Sequence, residues 1–282
     1  MALSILLTND DGPESPLLVP FAEAIAAAPW CRELRVVVPA RERSWIGKAI
    51  TKFDPLVVTP RVFGSVDGHA VATESGSAGT PADCVELGLW NLYPDRADFV
   101  LSGINMGTNA GLAFALSSGT IGGALEATLN GVGAMAVSAH LPAEIFAAWS
   151  AGEASRPERD AVWARLAHCA VDLCGSLLAS EVPKRAPILS INLPYEANPE
   201  TPVRLTCLRR TAYRGVFAAD PADPTTFRHR FPGFSAAPGP ETSSPLPSDL
   251  DVLARGEISV SAFGELVTTL DDTALVERIE RD

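Results

Sequence analysis

The chain has 282 residues, 47% hydrophobic and 20% charged, enough for one large α/β domain with a substantial core and unlike a disordered chain. Its formal net charge of −12 argues against non-specific binding to nucleic acid or to an anionic membrane surface, both of which need a basic face. A small anionic substrate stays open, because a bound metal reverses the field locally.

Leu3–Leu7 is a short apolar run that stops at Thr8-Asn9-Asp10-Asp11-Gly12, and it reads as a strand buried on both faces of a parallel sheet. Leu17–Ala28 has helical spacing, and Leu34–Val38, ended by Pro39, is a second buried strand, so the three form a βαβ unit. After a loop over 40–48, Leu56–Thr59 and His69–Thr73 read as strands or hairpin arms. Thr80 caps a helix that has Pro81 at its first position and runs to about Asn91. Asp98–Ser102 is a central strand, followed by a glycine-rich loop from Gly103 to Gly119. A helix from about Thr120 to Asn130 stops at Gly131, and Ala134–Ser138 is the next strand. Gly152–Asp160 is a polar break, Ala161–Ser180 an amphipathic helix and Ile188–Asn192 a strand. Thr211–Ser248, rich in Pro, Gly and aromatics, reads as an extended arm. Leu253–Phe263 carries a last strand, and Asp271–Asp282 a short charged helix.

This alternation predicts a doubly wound, mostly parallel sheet with a crevice at the strand C-termini. The division expected is a catalytic core over 1–195 and a strand and arm region over 196–282 that serves oligomerisation and ends in the terminal helix. Five cysteines, an odd number with no Cys-x-x-Cys pair, suggest free thiols rather than disulfides or a zinc ribbon. The N-terminus lacks a basic signal-peptide region, and no apolar stretch reaches the ~18 residues of a membrane span. The expected setting is the cytoplasm.

Three loops, Asn9–Gly12, Ser44–Gly47 and Ser102–Thr120, follow strands and so converge on one sheet edge. Asp10 and Asp11 repel one another and need a cation or strong donors to stay ionised, and oxygen ligands of this kind suit Mg²⁺ or Mn²⁺. Asn-Asp-Asp-Gly is equally good turn chemistry, but its place at the end of a parallel strand favours metal. Ser44 offers a neutral hydroxyl, with Arg41, Arg43 and Lys48 as phosphate partners, though an ordinary solvated loop accounts for these four by themselves. The run from Ser102 to Gly111 places the carboxamides of Asn105 and Asn109 among glycines that allow close backbone approach. Ser118-Gly119-Thr120 opens a helix, where free N–H groups and the dipole make an anion pocket; a simple N-cap explains Thr120 alone.

Taken together, Thr8–Gly12, Arg43-Ser44, Gly79–Val85, Ser102–Asn105 with Gly107 and Asn109, Ser118–Thr120 and Ala136–Ser138 form an ordered series that resembles the SurE family of stationary-phase survival proteins. The resemblance covers about the first half of the chain. It implies a Rossmann-like core and metal-dependent hydrolysis of nucleoside 5′- and 3′-monophosphates. It also implies one divalent metal per subunit on Asp10, Asp11, Ser44 and Asn105, and phosphate binding by Asn109, Ser118, Gly119 and Thr120. Asp10, Asp11 and Asn109 are the catalytic set expected, with Asp10 the leading group to activate water or attack; no histidine is obviously placed for that role, and His140, the nearest, reads as structural. Dimers or tetramers built by exchange of the arm are implied as well. The sequence departs from the family pattern at Leu17, Trp45, Ser117 and the strand Ile258–Ala262, which lacks a Thr-Pro ending.

Three other readings compete. A haloacid-dehalogenase-type phosphatase needs Asp-x-Asp, and here the acids are adjacent. A phospho-signalling receiver needs an aspartate at a central strand's end and a later lysine, and both are missing. A nucleotide-binding sensor would keep the pocket without turnover. Trp45, beside Ser44, is expected to pack against Ile46 or a neighbouring subunit, the alternative being a stack on the nucleobase.

Overall fold

The structure, a computed structural model, describes residues 2–153, 157–231, 233–237 and 244–263. In chain order the strands and helices of the first half are β1 (Leu3–Thr8), α1 (Leu18–Ala27), β2 (Cys31–Pro39), β3 (Leu56–Phe63), β4 (Val66–Thr73), α2 (Pro81–Trp90), β5 (Phe99–Met106), α3 (Leu112–Ser117), α4 (Gly119–Leu129) and β6 (Gly133–His140). There follow α5 (Ala143–Ser150), α6 (Pro157–Leu178), α7 (Val182–Arg185), β7 (Ile188–Pro194), β8 (Val203–Thr206), β9 (Thr211–Tyr213), β10 (Phe217–Asp220), β11 (Asp223–His229), β12 (Phe234–Ala236), α8 (Asp249–Ala254) and β13 (Ile258–Phe263).

Nine strands form one sheet in the order β3-β4-β2-β1-β5-β6-β7-β13-β8. From β4 to β7 all neighbours are parallel; β3 adds antiparallel to β4 and β13 antiparallel to β7. Successive side chains of β1 feed opposite cores. Ile5 and Leu7 join Phe21 and Ile25 of α1 and Trp163 and Leu166 of α6, whereas Leu6 joins Val85 and Leu89 of α2 and Ile121 of α4. Helices on both faces of a parallel sheet are the doubly wound arrangement that the alternation predicts.

The Thr80 cap holds as expected: its hydroxyl accepts from Asp83 N at 3.0 Å, and Asp83 accepts from Thr80 N at 2.9 Å, a capping box ahead of Pro81. All five cysteines are free.

Three expectations need correction. The loop expected over Gly103–Gly119 is largely ordered: β5 runs on to Met106 because Ile104 and Met106 are buried, and Leu112–Ser117, made of good helix formers, closes into α3. The cap of α4 is Ser118, whose hydroxyl accepts from Ile121 N at 3.0 Å, so Thr120 stands inside the helix. β8 and β13, both beyond residue 195, complete the main sheet. Arg159–Leu178 is long and apolar enough to cross a membrane, with mean hydropathy 1.2 over 20 residues. Charged residues interrupt its run in the sequence, and its apolar side, with Trp163, Leu166, Ala170 and Cys174, is spent on the core.

Among the described residues of the expected arm, β9 and β12 pair and β10 and β11 make a separate hairpin. The helix expected over Asp271–Asp282 lies outside the described residues.

Candidate active site

At the end of β1 the two readings of Asn-Asp-Asp-Gly divide by residue. Asn9 and Gly12 make the turn: the Asn9 side chain accepts from Gly12 N at 3.1 Å and donates to its carbonyl at 2.9 Å, with Gly12 at φ 79°. Asp10 and Asp11 are thereby turned inward, only 2% and 5% exposed.

Asp10 rests on the first turn of α4. Its Oδ1 accepts from the Thr120 hydroxyl at 2.6 Å and its Oδ2 from Thr120 N at 3.1 Å. Gly119 allows this approach, since a Cβ there would lie 2.9 Å from the Asp10 Cβ. Thr120 thus aims both donors at Asp10, and the anion seated on this helix end is the protein's own carboxylate. Burial pushes the Asp10 pKa from 3.8 up to about 6 against the pull of those hydrogen bonds.

Asp11 accepts from Met106 N at 2.8 Å through Oδ2, while its buried Oδ1 has no hydrogen-bond partner. Burial first, and then the Asp10 charge, hold its pKa well above the ordinary value. An acidic pair that burial and mutual repulsion drive toward protonation, with one oxygen unpartnered among the described residues, has the chemistry to fit a cation. Among the described residues no three His, Cys, Asp or Glu side chains gather into a metal site. Any further ligands are therefore neutral oxygens, a donor set that suits Mg²⁺ or Mn²⁺.

Asn105 is the nearest such group by connectivity: it precedes Met106, and its amide donates to the Gly107 carbonyl at 2.8 Å, which leaves the side-chain oxygen available to ligate. Ser44 lies on a loop tied to the site at both ends, by Arg43 N to Asp10 O at 2.6 Å and by Gly47 N to Ser117 O at 2.8 Å. The Ser44 hydroxyl hydrogen-bonds to neither aspartate. Of the cations around it, Lys48 pairs with Glu126 at 2.5 Å and Arg41 donates to the Gly76 carbonyl, whereas the buried Arg43 Nε has no partner.

Asn109 is 5% exposed and fixed from two strands. Its backbone N donates to Asn192 Oδ1 of β7 at 2.9 Å, and its side-chain amide donates to Ser138 Oγ of β6 at 2.8 Å. In the β5–β6 register Ser138 faces Asn105, so the two asparagines flank one position. His140 leaves the same strand beside Pro194, and burial lowers its pKa. Asn192 was not singled out from sequence, although a buried polar residue at the C-terminal end of a parallel strand is a readable signal.

Trp45 takes φ 61°, rare for a bulky residue. Its ring lies 4.8 Å from Tyr213, 4.7 Å from His229, 5.4 Å from Phe114 and 5.9 Å from Phe231. The arm is therefore clasped to the Ser44 loop.

Comparison with known proteins agrees with this geometry. Residues 5–215 match the family described as survival protein SurE. A protein of Methanocella arvoryzae named 5′-nucleotidase SurE is 34% identical, covering 100% of this chain and 99% of its own. Another so named, from Geotalea uraniireducens, is 43% identical over 48% of this chain and 50% of its own. The crystal structure of a SurE protein from Aquifex aeolicus superimposes with a TM-score of 0.67 at 26% identity and covers 98% of both chains. By fold, by sequence and by the residues gathered at the ends of β1 and β5, the chain belongs to the SurE family.

Proposed function

We propose that the chain is a metal-dependent phosphomonoesterase that hydrolyses nucleoside 5′- and 3′-monophosphates. The observation that carries this reading is the buried, repelling Asp10–Asp11 pair with its orphaned Asp11 Oδ1. Its SurE relatives, named 5′-nucleotidases, support the substrate class.

Asp10, Asp11, Asn105 and Ser44 would hold one Mg²⁺ or Mn²⁺, which when bound polarises a phosphate oxygen and lowers the pKa of a water. The protein's own groups do the rest. Thr120 and Met106 N hold the two carboxylates in fixed orientations. Asn109, braced by Ser138 and Asn192, and Arg43, with its unspent Nε, face the charge that builds on the equatorial oxygens. Ser118 and Gly119 complete the rim of that phosphate pocket. Asp10, oriented by the two Thr120 donors, is the group that would accept the proton of the attacking water.

Asp11→Asn tests this directly. The variant should fold yet lose at least ~100-fold in kcat/KM for both AMP and p-nitrophenyl phosphate. Undiminished phosphate release would sink the reading, and phosphate release by the wild type separates an enzyme from a binding-only sensor.

The same reading takes the protein as a cytoplasmic homodimer or homotetramer. The β10–β11 hairpin supports assembly, because Phe217 and Phe227 stand 64% and 62% exposed on it. Light scattering should give a multiple of the chain mass, and Phe217→Ser with Phe227→Ser should lower it; a wild-type monomer would refute the assembly.

A further inference from the structure

The helix α3 begins two residues after Ala110, and Ala110 alone separates Asn109 from Gly111, the residue at the α3 N-cap position. Gly111 has no side chain with which to cap, and it sits at φ 79°. The three leading N–H groups of this turn are satisfied from about a hundred residues or more away. Gly111 N donates to Asp249 Oδ2 at 2.6 Å, Leu112 N to the Arg209 carbonyl at 2.9 Å and Ala113 N to the Thr211 hydroxyl at 3.0 Å. Asp249 is 0% exposed and its other oxygen accepts from Arg209 N at 3.0 Å and Leu250 N at 2.8 Å. Among the described residues no cation is paired with it: the nearby Arg209 guanidinium is spent on Asp251 at 2.7 Å.

We propose that Asp249 is a positioning residue for Asn109: by clamping Gly111, Arg209 and Leu250 together, it makes the C-terminal segment one wall of the active site. Asn109 is then held from three directions, by Asn192 at its backbone, by Ser138 at its amide and by Asp249 through Ala110 and Gly111. A charged acceptor suits the place because three backbone N–H groups converge on it, each a charge-assisted bond. Asparagine keeps the shape but substitutes a donating NH₂ for one acceptor oxygen, so at least one of the three N–H groups meets another donor. The role rests on the phosphomonoesterase reading only in so far as Asn109 serves turnover.

The test is a double-mutant cycle of Asp249→Asn with Asn109→Ala, read as kcat/KM for p-nitrophenyl phosphate with Mn²⁺, beside amide hydrogen exchange of the metal-free protein. Asp249→Asn should lower kcat/KM about 10- to 100-fold, as loss of a supporting partner does at comparable sites, and the double variant should be little worse than Asn109→Ala alone. Exchange should quicken across residues 109–113 and stay unchanged in β1 and β2. Additive losses, unchanged kinetics, or unchanged exchange at 109–113 would overturn the role. Should Asp249→Asn fail to fold, Thr211→Val removes the Ala113 acceptor alone and enters the same cycle, with a smaller loss expected and the same criteria. An inactive wild type would refute the phosphomonoesterase reading instead, and the exchange result would still decide the clamp.

Discussion

Two donors of Thr120, its N–H at 3.1 Å and its hydroxyl at 2.6 Å, work against the burial that lifts Asp10 to a pKa of about 6. Thr120→Val removes the hydroxyl and keeps the shape and the N–H. Since that bond lowers the pKa, its loss raises it, and a larger fraction of Asp10 is protonated at any pH near neutrality. In the metal-free protein the Asp10 carboxyl should therefore titrate at higher pH, by roughly one unit for a charge-assisted bond worth ~1.5 kcal/mol, as its chemical shift against pH would read. An unmoved titration beside a raised KM for phosphate esters would mean that Thr120 serves substrate phosphate rather than Asp10. The sequence pointed to residues 118–120 as an anion pocket, and in the structure the carboxylate bonded to Thr120 there is that of Asp10. What could not be read is that Asp10, 110 positions earlier, already occupies part of it. Asn105 and Asn109 were legible because glycines surround them. Ser138, Asn192 and Asp249 were not singled out as site residues because their partners are set by strand register and by the return of the C-terminal segment.

At the scale of elements, the first half was legible because β1, β5 and β6 are buried on both faces and α2 carries a capping signal at Thr80-Pro81 and Asp83. Glycine content misled over Gly103–Gly119, where burial of Ile104 and Met106 keeps the chain in the sheet. The arm was recognised from its composition, but its attachment was not. Trp45 joins the loop that bears Ser44 to Tyr213, His229 and Phe231 of the arm and to Phe114 of α3. Trp45→Ala should cost about 2–3 kcal/mol of stability and slow AMP and p-nitrophenyl phosphate by similar factors, because the loop and not a base contact is disturbed. A loss confined to nucleotides would show instead that the indole stacks on the nucleobase.

Over the whole molecule, the sheet gathers Asp10, Asp11, Asn105, Ser138 and Asn192 at the C-terminal ends of four parallel strands, where a doubly wound fold opens its crevice. The segment beyond residue 195 returns to that edge through Thr211 and Asp249 as well as to the sheet through β8 and β13. The net charge of −12 makes a phosphate ester an unlikely guest unless a cation or Arg43 reverses the local field, so the acidic pair matters most with a metal on it. The most direct measurement is phosphate release from AMP by protein stripped with EDTA and then titrated with Mn²⁺. Turnover absent after stripping and restored in proportion to bound Mn²⁺, at about one ion per chain, is the expected result. Full turnover in the stripped protein would contradict the role given to Asp10 and Asp11.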